Sequence, residues 1–179
     1  MVGGLQHARL TPQELFAAAV VVTVLSSGSP IRAAGPNPAC ALVTPAEIEA
    51  IVGAKVTRLV NGPSDLGNGV EVCTGTAGDV AITIRFVPNP SDAGARATVR
   101  VVDYARQMGS QIEATTAGPI ACYTITPPEQ MAQATPAGTM CSVRTPSRMA
   151  VIELSTKSPE GPVPMSKVQA LARKILKRL

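Results

Sequence analysis

"VEVCTGTAGDVAITIRF", residues 70–86, decides the fold class. "VEVCTG" at 70–75 and "DVAITIRFV" at 79–87 are short, rich in β-branched residues and separated by the small residues "TAG", so they read as an antiparallel hairpin. Val80, Ile82, Ile84 and Phe86 alternate with smaller or polar residues, which places the four on one face of a half-buried strand. Outward from this hairpin the pattern repeats. "KVTRLV" (55–60), "SQIEAT" (110–115) and "PIACYTIT" (119–126) are strand candidates, and "GTMCSVRT" (138–145) with "RMAVIELST" (148–156) predicts a second hairpin turning near Pro146 and Ser147.

Between the hairpins lies "PNPSDAGARATVRVVDYARQM" at 88–108. It opens with helix breakers and offers Ser91 or Asp92 as cap; Val101, Tyr104, Ala105 and Met108 then fall at i, i+3, i+4 and i+7, the spacing of a buried helical stripe. The chain ends in "MSKVQALARKILKRL" (165–179). Val168, Leu171, Ala172, Ile175 and Leu179 share one face, Ser166 is the expected cap, and Lys174, Lys177 and Arg178 suit the negative end of the helix dipole. The expected fold is α+β: an antiparallel sheet covered on one face by these two long helices.

A short repeat runs through this plan. "ACALVTPAE" at 39–47 matches "ACYTITPPE" at 121–129 in Ala-Cys, Thr-Pro and Glu. Thr44 with Glu47, and Thr126 with Glu129, have the spacing of a capping box, with Pro45 and Pro127 at the first helical position. Each copy therefore predicts an extended cysteine segment followed by a helix start, and the two divide residues 35–179, read as a single domain, into pseudo-repeated halves of about 36–110 and 111–179. The first helix, 45–52, carries Ile48, Ile51 and Val52 and stops at Gly53; the stretch after the second copy is too proline-rich for more than a short helix. A Gly-rich loop at 61–69 distinguishes the first half, and such loops are common recognition elements.

The four cysteines, Cys40, Cys73, Cys122 and Cys141, follow an apolar run, "LFAAAVVVTVL" at 15–25, that is preceded by His7 and Arg9 and followed by small residues. That order predicts a secretory signal peptide over 1–34, too short for an ordinary membrane span, so no stable span is expected after processing. In an exported chain the cysteines read as two disulfides. Three pairings are possible; the simplest, within halves, joins Cys40 to Cys73 and Cys122 to Cys141. "PNPA" before Cys40 lacks the pattern that lipid attachment needs, so a secreted or periplasmic protein is expected.

Composition excludes more than it assigns. Apolar residues make up 45% of the 179 residues but aromatics only 2%, and the net charge is +4, without the basic stripe or stacking groups of a nucleic-acid binder. The one histidine lies in the expected leader, which removes imidazole triads and histidine-bound metal from the mature chain. No Gly-rich phosphate loop, nucleophile elbow or Cys-x-x-Cys pair is present, so no metal, cofactor or catalytic residue is assigned. Glu47 and Glu129 are the candidates for paired carboxylates should the halves bring them face to face, and Arg85, Arg144 and Arg148 are candidates for binding an acidic partner.

"PACALVTPAEIEAIVGAKV" at 38–56, with Cys73 further on, resembles small exported bacterial proteins and lipoproteins of unknown function whose mature part opens with Cys-x-Leu-x-Thr-x-x-Glu. Here Cys40, Leu42, Thr44, Glu47, Gly53 and Cys73 carry the match. The resemblance implies an envelope protein with a sheet-and-helix fold and a Cys40–Cys73 bridge, and no catalytic residues. The expected function is a non-catalytic binding or interaction module of the cell envelope, its partner an envelope protein or a small ligand; the alternative is a histidine-free hydrolase using the two carboxylates.

Overall fold

The antiparallel hairpin of 70–87 lies inside one continuous sheet. The structure, a computed structural model, describes residues 38–62, 69–90 and 92–179, with the backbone alone at 92–99. The expected leader at 1–34, a cap at Ser91 and most of the 61–69 loop lie outside these residues.

Seven strands, β1 (Val56–Asn61), β2 (Glu71–Ala77), β3 (Val80–Pro88), β4 (Gln111–Ala117), β5 (Ile120–Thr126), β6 (Ala137–Arg144) and β7 (Arg148–Thr156), pair antiparallel in the order β1-β2-β3-β7-β6-β5-β4. Two meanders thus meet at the β3–β7 pair. The tightest turns share one chemistry: Ala77 pairs with Val80 around Gly78 (φ 59°) and Ala117 with Ile120 around Gly118 (φ 58°). A two-residue turn of this hand favours glycine in its first central position because a side chain there is strained.

Register fixes two unequal faces. On one, Cys73, Ile84, Ile152, Cys141 and Cys122 lie directly opposite one another across five strands, all fully buried. The next row contains Ile82, Leu154, Thr139 and Thr124. This face is closed by three helices, α1 (Pro38–Ala41), α2 (Pro45–Val52) and α4 (Met165–Leu176). α1 and α2 lie over β1 and β2, with α1 also reaching β3, and α4 lies over β5, β6 and β7. Ile48 of α2 and Val168, Leu171, Ala172 and Ile175 of α4 enter the core.

The expected cover of two long helices on one face is wrong. The molecule is mostly sheet with short helices, and α3 (Asp92–Gln107) takes the other face, where with Ile125, Met140 and Glu153 it bounds a groove. The reason is topological. β3 is followed by the far edge strand β4, four strand spacings away, or about 19 Å. A helix of 16 residues is about 24 Å long and bridges that width, while α4, α1 and α2 already fill the opposite side.

Two helix starts also differ from the sequence reading. Pro164, not Ser166, stands at the N-cap of α4, without a side-chain cap. The box at Thr126 and Glu129 is not formed: Thr126 ends β5, Pro128 is extended, and only a single 3-10 turn, η1 (Glu129–Met131), follows. Consecutive prolines at 127 and 128 hold the chain extended one residue too long. The matched nonapeptides accordingly have different structures, Cys40 in helix α1 and Cys122 in strand β5.

Candidate functional site

The capping box at Thr44 and Glu47 is present in full. Thr44 Oγ1 accepts from the Glu47 amide at 3.3 Å, and the Glu47 carboxylate accepts from the Thr44 amide at 3.0 Å. Glu47 does more than cap. Arg178 donates to both its oxygens, at 2.7 and 2.8 Å, and to the Leu42 carbonyl at 2.6 Å, while Lys174 stands 3.5 Å away. The bidentate Arg178 guanidinium holds the Glu47 carboxyl down at about 2. Glu47 is therefore a clamp between α2 and α4.

Glu129 stands on η1, which borders the opposite face. The structure therefore does not bring the two carboxylates together, and the shared site that a carboxylate hydrolase needs is not formed. Nor do the three arginines make one patch. Arg85 pairs with Glu153 at 3.2 Å on the α3 face. Arg148 lies on the register of the closed face and donates to the Leu179 carbonyl at 2.7 Å. Arg144 ends β6 beside the shallow pocket of Ser142, Thr145 and Pro146.

The four cysteines form two bridges, Cys40–Cys73 and Cys122–Cys141, with Cα separations of 5.0 and 4.1 Å. The first ties α1 to β2; the second joins directly opposed residues of β5 and β6. Around them the polar atoms are matched: Thr139 donates to the Val163 carbonyl at 2.6 Å and accepts from Thr124 at 3.1 Å. No described group of histidine, cysteine or acidic side chains is arranged to hold a metal ion, and no helix among the described residues is long and apolar enough to cross a membrane.

The feature that stands apart is on the other face. Val101, Tyr104 and Met108, read from their spacing as a buried stripe, are 51%, 64% and 41% exposed. Among the described side chains of this helix, 100–107, the buried one is Val102, one position out of the expected stripe. The exposed side chains form one wall of a groove of about 340 Å³. Pro127, Met131 and Pro136, from the connection between β5 and β6, also line it. The floor runs across β5, β6 and β7 through Ile125, Met140, Gly138, Ser155 and Glu153. Gly138 deepens it, since a side chain would stand between those of Ile125 and Ser155, its pairing partners, and its Cβ would meet the Leu154 carbonyl at 3.3 Å.

No family model and no curated protein matches this chain. Among solved structures it is similar to the extracellular domain of PknH from Mycobacterium tuberculosis, with a TM-score of 0.52 and 10% identity over 80% of this chain and 95% of that one. At that identity the likeness shows a shared fold.

Periodicity missed the groove because a helical apolar stripe has the same spacing whether it packs inward or lines a cleft. Its available signal was composition: Met108, Met131 and Met140 all border it, and methionine is the side chain that adapts to varied apolar shapes.

Proposed function

We propose that the chain is an exported, disulfide-stapled binding domain, secreted or periplasmic, that takes a small apolar ligand in the groove under α3. The carrying observation is the exposure of Val101, Tyr104 and Met108 along one wall of that groove, because monomeric proteins rarely leave a contiguous apolar patch open without a use for it. Two disulfides support an oxidising compartment, and the similar PknH structure is an extracellular domain. A volume near 340 Å³ lies in the range of small-molecule sites, about 300–1,000 Å³. That size favours a small ligand over an envelope protein as the occupant.

The test uses N-phenyl-1-naphthylamine, an uncharged apolar fluorophore, with the purified oxidised protein. Saturable enhancement is expected, and Ala105→Phe, which fills the groove from the α3 wall, should abolish it without moving the thermal transition. Enhancement that is unsaturable, or indifferent to Ala105→Phe, would remove the groove as the site.

A further inference from the structure

We propose that the ligand is an amphiphile with a cationic, hydrogen-bond-donating head, seated with its apolar chain against α3 and its head at Glu153. The inference rests on the groove being a binding site and adds the polarity of what it holds.

The walls are apolar along most of their length, whereas the floor changes character as it crosses the sheet. Ile125 belongs to β5, Met140 to β6, and Glu153 and Ser155 to β7; the β3 residues beyond them, Ala81 and Thr83, do not line it. The groove therefore ends at a carboxylate. In the row that carries Glu153, Met140 lies directly opposite on one side and Thr83 on the other, so its neighbour toward the groove is a thioether and not a charge.

Arg85 supplies the direction. It stands on β3, beyond Glu153 as seen from the groove, and its Nη1 donates to Glu153 Oε2 at 3.2 Å. The pair is a dipole with its negative end toward the apolar cleft and its positive end away from it. A head that donates to the carboxylate extends this arrangement as a chain of alternating charges. An anionic head would meet the carboxylate first, and would lose water without gaining a partner. Both side chains are about one-third exposed, so the head remains partly hydrated and the preference is one of moderate size.

The decisive experiment displaces bound N-phenyl-1-naphthylamine with decylamine, decanol and decanoic acid, which share a chain and differ in the head, all below their aggregation concentrations at neutral pH. Decylamine should displace the probe at about tenfold lower concentration than decanoic acid, with decanol between them. Glu153→Gln should erase the difference between amine and acid while leaving decanol unchanged. Arg85→Gln, which unpairs the carboxylate, should widen it. If the acid competes as well as the amine, or if Glu153→Gln leaves the order intact, the head-group assignment is overturned while the groove stands. If the probe itself fails to bind in a manner blocked by Ala105→Phe, the underlying reading has failed and this inference with it.

Discussion

The two faces of the sheet are built from the same strands, yet they solve opposite problems. The face under α1, α2 and α4 is sealed: Cys73, Ile84, Ile152, Cys141 and Cys122 form an unbroken buried row, and its deepest hydroxyls, Thr124 and Thr139, are hydrogen-bonded. The face under α3 is open: the helix that crosses it keeps Val102 buried but leaves three large apolar side chains exposed beside a groove. Residues alternating along one strand belong to different economies of contact. Leu154 is fully buried, whereas neighbouring Glu153 and Ser155 line a cleft.

That contrast makes quantitative demands. Ile152→Ala, on the closed face, should cost about 2–5 kcal/mol by losing a buried side chain and leaving a cavity, read as a fall in the denaturant midpoint at constant slope. A loss below about 1 kcal/mol would mean that this face is less tightly packed than the row implies. Replacing Cys40 and Cys73 together by serine should cost about 2–4 kcal/mol, since the bridge closes a long loop; a smaller loss would show that α1 is held by packing alone. Thr139→Val should cost about 1–3 kcal/mol because it leaves the Val163 carbonyl and the Thr124 hydroxyl without their buried partner, again by denaturation.

The Glu47 clamp has a signed pH dependence. Its carboxyl is held at about 2 against an ordinary 4.5, so its contribution is fully present above the ordinary value and disappears as protonation proceeds toward the lower one. The stability of the parent protein relative to Glu47→Gln should be constant near neutrality and converge between about pH 4.5 and 2. Parallel curves throughout that window would show that the Arg178 pair does not hold α2 to α4. The smallest stability effect belongs to the open face. Tyr104→Ser should change stability by no more than about 0.5 kcal/mol yet weaken probe binding, and a large stability loss with unchanged binding would reverse the assignment of the two faces.

Much of this architecture was legible where the physics is local. The hairpin at 70–87 follows from alternation and turn residues; α2 follows from Thr44, Pro45, Glu47 and the left-handed Gly53 (φ 81°); the buried face of α4 follows from Val168, Leu171, Ala172 and Ile175. The candidate site was hidden in a correct pattern wrongly placed. Val101, Tyr104, Ala105 and Met108 do share a helix face, and nothing in their spacing says that this face borders a cleft. The capping motif at Thr126 and Glu129 misled for a related reason, since the extended Pro128 separates the motif from the helix it was expected to start.

By itself, then, the sequence determined the seven strands and the helices α2, α3 and α4, which positions alternate, where α2 begins and ends, and that a chain poor in aromatics with four cysteines would favour covalent ties; it missed the helix α1 around Cys40. Tertiary structure alone decided that β3 and β7 join the two meanders, that α3 crosses to the face opposite α4, and that Glu47 meets Arg178 across 131 residues. The division is physical. Propensity, capping and periodicity act within a turn or a few residues, whereas the choice of sheet face depends on which surfaces other elements have already covered and on how far a connection must reach.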